Sequence, residues 1–236
     1  MTARWIALVL LAAPLPAAAE EAATTPQRLD LFEVTAIRIT GDASAINVTA
    51  ADDQSYEATL GGERTGWFAK WYSSWFDHAC PTASHMRIDR GTLYVDAQPA
   101  SWLEPESCRV RFTANVRKDS AIAIEQKASE VKLTGDYSAV SFDGGATDFA
   151  LTGHADTLAL NASQMRTTLT FDRTEGRETI ALAAQSQDVH LTFAAGTRVD
   201  YAVDATAALV DSALPKTPGA RPDITVKGQF VRVTIR

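Results

Sequence analysis

From residue 122 onward, pairs of apolar residues separated by one other residue recur every nine positions: Ile122/Ile124, Val131/Leu133, Val140/Phe142, Phe149/Leu151 and Leu158/Leu160. Alternation within a pair puts both side chains on one face of a strand, whereas a helix would need apolar spacings of three and four. A nine-residue step leaves room for a strand of about four or five residues and a polar turn. Gly135, Gly144 and Gly153 keep the same phase, each just after a pair, where a residue able to take positive φ permits a tight bend. Thr134-Gly135 and Thr152-Gly153 recur at eighteen. The pattern predicts that two nine-residue steps make one coil of a β-solenoid, a β-helix-like stack of short strands with like residues above one another. A regular antiparallel meander shares the period and is the alternative. Glycine held in register over three steps favours the coil.

The phase then loosens. Residues 167–171 fill the next slot, residues 172–178 insert polar residues, and Ile180/Leu182 and Val189/Leu191 restore the step before Val199, Tyr201 and Val203. Such an insertion is expected to bulge at a coil corner. Residues 37–48 align with residues 131–142, matching Thr, Gly, Asp, Ser and Ala at the same offsets. Between these, residues 56–60, 85–89 and 93–97 read as strands of a less regular first sheet, with Arg90-Gly91 as a hairpin turn. The expected class is all-β: an N-terminal β region over residues 20–117, then a solenoid region with a C-terminal strand over residues 118–236, or one continuous domain.

The first nineteen residues carry a different signal. Arg4 precedes an apolar stretch over residues 5–13, Pro14 and Pro16 break it, and Ala17-Ala18-Ala19 leads to Glu20. This is the layout of a secretory leader, with cleavage expected between Ala19 and Glu20. Nine apolar residues fall short of the about twenty that span a bilayer, so no transmembrane anchor is expected after removal of the leader. The expected location is periplasmic or extracellular. In an oxidising compartment Cys80 and Cys108, the whole cysteine inventory, are expected to be bonded. A zinc site from His78, Cys80, His85 and Cys108 is the competing reading. Its His78-Ala79-Cys80 spacing is tighter than usual ligand pairs, and the second half lacks a matching pair. A net charge of −7 argues against binding a phosphate backbone.

Trp67, Phe68, Trp71, Tyr72, Trp75 and Phe76 form the densest chemical feature. They read as a cap that seals one open end of the stack, or as an exposed platform for a glycan, a partner or a membrane interface; the cap is preferred. No GxSxG, HExxH or P-loop occurs. His154 and His190, beside strand pairs, read as surface or turn residues. Asp136, Asp143, Asp148 and Asp156 fall at expected turns and could stack as an acidic ridge, which is the basis of an alternative reading as a polysaccharide lyase or glycosidase. Residues 143–148 resemble a calcium-binding glycine-aspartate repeat but lack its second spaced glycine and an aspartate in the required place. Asn47 and Asn161 begin glycosylation sequons by pattern alone. No cofactor, metal or catalytic residue is expected.

Residues 32–48, the hairpin over residues 85–95 and the Thr-Gly punctuated pairs together resemble the bacterial adhesin-like family of unknown function that carries a head GIN domain. The resemblance covers most of residues 32–205 and rests on strand and turn patterns. It implies an exported, β-helical, non-catalytic binding or structural module of the cell envelope, whose partner is a protein or glycan. The aromatic segment, the cysteine pair and the loop with Pro215, Pro218 and Pro222 depart from the family pattern.

Overall fold

The structure, a computed structural model, describes residues 26–64, 79–80, 82–99 and 108–236. The expected leader and the six aromatic residues from Trp67 to Phe76 lie outside them, as does His78. Eleven strands follow one another: β1 (Gln27–Asp30), β2 (Ala36–Ala50), β3 (Glu57–Arg64), β4 (Ala79–Cys80), β5 (His85–Asp89), β6 (Thr92–Ala97), β7 (Cys108–Val116), β8 (Ser120–Phe171), β9 (Thr179–Phe193), β10 (Asp200–Ser212) and β11 (Asp223–Ile235). They form one mixed sheet, and no helix occurs among the described residues. The strands expected to make a separate first sheet therefore belong to the same sheet as the repeat.

Strand β8 is recorded as 52 continuous residues, which laid straight would extend roughly 170 Å. Instead it meets itself at an interval of eighteen residues. The hydroxyls of Ser129 and Thr147 lie 3.2 Å apart, and Asn161 Nδ2 donates to Asp143 Oδ2 at 2.8 Å. Its first part pairs in parallel with β2, Ile37 opposite Ile122 and Val48 opposite Leu133, and its last part pairs in parallel with β9 from Thr157 opposite Thr179. That last offset is four residues longer because of the insertion over residues 172–178. No antiparallel pairing involves β8 among the described residues. Antiparallel pairs are confined to β1, β3, β4, β5, β6 and β7.

Each apolar pair that defines the nine-residue step is buried, from Ile122/Ile124 through Leu158/Leu160, and Ile180/Leu182 and Val189/Leu191 join the same contiguous core. Residues between them face out, as period-two alternation requires. Two of the three phased glycines take positive φ, Gly135 at 107° and Gly153 at 128°. Gly144 does not, and its requirement is different: a Cβ there would collide with the carbonyl of Gln126 on the adjacent pass of the chain. Residues 37–48 pair with residues 122–133, not with the 131–142 segment they match in sequence. The two halves of the repeat are so alike that the sequence match is displaced by one half.

At the far end, spatial order departs from chain order. β11 pairs in parallel with β9 on one side and β10 on the other, so the last strand lies between two earlier ones. Arg90 and Gly91 both take positive φ, 46° and 75°, and form the expected turn between β5 and β6.

Candidate functional site

The stretch between the two apolar pairs of each eighteen-residue repeat carries small residues. Ala43 and Ser44 of β2 sit beside Ala128 and Ser129 of β8, and Ala146 and Thr147 follow one pass later. Small side chains at the same place on successive passes leave a trough that crosses the strands. Its volume is about 910 Å³, and Arg109, Glu130, Asp148, Arg166 and Asp188 supply its charge. Arg166 and Asp188 face each other in the β8/β9 register, and adjacent strands are spaced by about 4.8 Å. Charged groups therefore recur along one wall at strand spacing, with Glu130 and Asp148 the neighbours of like sign.

The floor is polar. Ser44 Oγ donates to Gln126 Oε1 at 3.0 Å, and buried Gln187 donates its Nε2 to the Lys227 carbonyl at 2.7 Å. Gln187 Oε1 and Asp188 Oδ1 have no hydrogen bond among the described residues, although His190 Nε2 stands 3.4 Å from the latter carboxylate. At the β7 end Arg109 meets Glu130 at 2.8 Å, and that guanidinium, with Lys132, holds the Glu130 carboxyl below its ordinary range. Of the residues lining this trough, the sequence singled out Asp148, as a turn carboxylate, and Cys108, but not the trough they border. Its signal is a small residue followed by Ser or Thr at positions 43, 128 and 146, visible only once the passes are aligned at their true register.

The four turn carboxylates do not converge. No two of Asp136, Asp143, Asp148 and Asp156 are eighteen residues apart, so successive passes stack other residues on each of them and the expected ridge is not built. Asp136 pairs with Arg173 at 2.9 Å, Asp143 accepts from Asn161, and Asp156 pairs with Arg177 at 2.8 Å. Asp148 lines the trough, whereas Asp143 borders a separate cleft of about 530 Å³. Gly144 and Gly145 both serve close backbone approach, to Gln126 and Lys127.

His154 corrects its sequence reading. It is 2% exposed, not a surface residue, and its Nε2 donates to Glu178 Oε1 at 3.1 Å. Glu178, at the end of the polar insertion, is fully buried and also accepts from the amides of Glu175, Gly176 and Arg177. Burial pushes its carboxyl up, but the amide donors and His154 outweigh burial, and the net direction is downward. The insertion leaves the sheet as an exposed loop, and only its last side chain, the Glu178 carboxylate, is buried. His154, Asp156 and Glu175 also stand close enough to hold a cation. Arg177 already fills that role, bonding Asp156 through Nε and Glu175 at 2.9 Å. His190, in contrast, is half-exposed.

Cys80 of β4 and Cys108 of β7 are joined as a disulfide, with a Cα separation of 6.1 Å. This bond removes both thiolates from the zinc alternative, and His85 lies exposed on β5.

No protein-family model matches the chain, and no curated protein matches its sequence. Among solved structures, it is similar to a candidate cell adhesion protein from Clostridium sporogenes ATCC 15579, with 7% identity and a TM-score of 0.46 over 89% of this chain and 98% of that one. A candidate adhesin from Bacteroides fragilis NCTC 9343 gives 10% identity and a TM-score of 0.40, over 89% and 95% of the respective chains. A candidate lipid binding protein from Parabacteroides distasonis ATCC 8503 gives 10% and 0.31, over 90% and 96%.

Proposed function

We propose that this chain is an exported, non-catalytic, adhesin-like binding module of the bacterial cell envelope, wound as a β-solenoid with eighteen residues per coil. Parallel pairing on both flanks of β8 and its self-contacts at eighteen residues support the winding. The leader layout and the disulfide support export, with residues 20–117 as the N-terminal β region and residues 118–236 as the coiled region. β2 hydrogen-bonds to β8 across that boundary, so the two regions share one sheet.

The observation that carries the binding role is the trough over the small residues. Its hydroxyls and charged groups repeat at strand spacing, and it crosses the strands as an open trough. A repeat of donors and acceptors suits an extended, hydroxyl-rich chain, the chemistry of an envelope glycan. A glycan array followed by calorimetry tests this. Asp148→Asn and Arg166→Ala, both on exposed side chains, are expected to weaken binding tenfold or so while leaving the melting temperature in place. Turnover of a polysaccharide that disappears in Asp148→Asn would replace this reading with the enzymatic one.

A further inference from the structure

The strand order ends at β10, which pairs with β11 alone among the described residues. Asp200 N donates to the Pro222 carbonyl, so Asp200 turns its backbone groups toward β11, and Tyr201, Val203 and Ala205 turn theirs outward. The side chains of Tyr201, Val203 and Val210 border an open cleft of about 560 Å³, with Lys216 at its rim. Val210 is 39% exposed although its neighbour across the ladder, Val233, is buried. The Val199–Lys216 bridge covers the start of this edge, and from Val203 onward the core stripe has no strand on its outer side among the described residues.

At the opposite end β5 pairs with β6 alone among the described residues. Met86 N donates to the side chain of Gln27, which shows that Met86, and with it Ile88, turns backbone groups away from β6. Ile88 lies opposite buried Leu93 and is itself 41% exposed. The outer face of β5 carries His85, Arg87 and Asp89, the last paired with Arg90 at 3.6 Å, whereas that of β10 carries Asp200 and Asp204.

We propose that β5 of one copy adds to β10 of another, so that the protein assembles head to tail. β5 runs antiparallel to β6, and β6, β2, β8, β9, β11 and β10 are joined by parallel pairings, so a copy displaced along the sheet presents β5 antiparallel to β10. Val203 opposite Ile88 matches the outward backbone groups of both strands. The same register sets Ala205 opposite Met86, whose N–H exchanges the Gln27 side chain for the Ala205 carbonyl, and Asp204 opposite Arg87, continuing the core stripe inside and pairing opposite charges outside. A β10 to β10 pairing would gather two copies each of Asp200 and Asp204 on one face with no cation from either strand, which like-charge repulsion disfavours. The junction uses different surfaces on the two partners, so repetition builds an open chain of molecules and not a closed pair.

Sedimentation velocity on the purified full chain tests the junction. The parent is expected to show a weight-average sedimentation coefficient that climbs with concentration without a dimer plateau and falls with added salt. Asp204→Arg and Arg87→Asp are each expected to remain monomeric, with circular dichroism unchanged and only a small fall in melting temperature for Arg87→Asp, which loses its stacking on the Tyr94 ring. An equimolar mixture of the two variants regains the climb, since each supplies the end the other needs. A parent that stays monomeric at every concentration overturns the proposal. So does a closed dimer that Arg87→Asp leaves intact, which would indicate β10 to β10 pairing, or a mixture that fails to recover.

Discussion

His154 Nε2 lies 3.1 Å from Glu178 Oε1, and neither side chain has appreciable contact with solvent. The bond ties a seven-residue polar insertion to the sheet at a point twenty-four residues earlier in the chain. Glu178→Ala removes the acceptor for three backbone amides and for the imidazole at once, and is expected to cost about 3–5 kcal/mol in urea unfolding at neutral pH. Recovery of most of that loss by Glu178→Gln would show that shape, not charge, holds the clamp.

The pH dependence of the same group has a definite sign. The Glu178 carboxyl is lowered from its ordinary value of 4.5 in the folded protein, so the unfolded chain takes up its proton first as pH falls. Its stabilising contribution is complete above pH 4.5 and is lost as pH drops through the folded value. Unfolding free energies measured from pH 7 to 3 should therefore show a decline below about 4.5 that is shallower in Glu178→Gln.

Gly135→Ala and Gly153→Ala force a side chain into positive φ and against a neighbouring carbonyl, of Ala50 and Gly135 respectively. Each is expected to destabilise by more than about 2 kcal/mol. Gly176→Ala provides the contrast: its φ is also positive, 80°, but nothing lies within 4 Å of the added carbon. Only the backbone term of about 1 kcal/mol remains there. Equal losses at all three positions, by urea titration, would mean that close stacking of the passes contributes nothing.

Replacing Cys80 and Cys108 together by Ser opens a 28-residue separation and is expected to cost roughly 3–4 kcal/mol by loop entropy. Thiol labelling of the parent under denaturing, non-reducing conditions should detect no free sulfhydryl. Two labelled thiols would show that the bond does not form in the purified protein.

Tyr137 is fully buried, and its hydroxyl donates toward the carbonyls of Val48 at 2.9 Å and Thr134 at 3.0 Å. Burial, chiefly, pushes its phenol above the ordinary range, so no deprotonation accompanies unfolding near neutrality. Tyr137→Phe should lower stability by about 1 kcal/mol, the net value of one such bond plus an orphaned acceptor. No change in the unfolding midpoint would assign the residue's contribution to its ring alone.

The core was readable in the sequence because a two-residue alternation repeated every nine residues leaves few other arrangements, and each apolar pair from Ile122 to Leu160 is buried as that pattern requires. Gly135 and Gly153 were readable for the same reason. Gly144 was misread because its constraint is the approach of Gln126 eighteen residues earlier, which no local turn pattern expresses. His154 was hidden by its partner: Glu178 sits in the one segment that breaks the period, so nothing in either neighbourhood announces the pair. The trough was hidden for a related reason, since Ser44, Ser129 and Thr147 come together only across passes. The position of β11 between β9 and β10 was beyond reach, because two strands of equal pattern fit the same edge and periodicity does not rank them.

That inversion has a consequence for the order in which the molecule is completed. A chain made from its N-terminus finishes β10 before any of β11 exists, yet the edge of β9 belongs to β11. During that interval the only strand on hand for the edge of β9 is the wrong one. Tyr201 and Val203 offer the same alternating apolar pattern as Ile224 and Val226, with which they end up paired. The earlier strand must stay away from, or surrender, a site it could occupy until its replacement is synthesised. Biogenesis is therefore a contest between two segments for one berth, decided in favour of the late arrival.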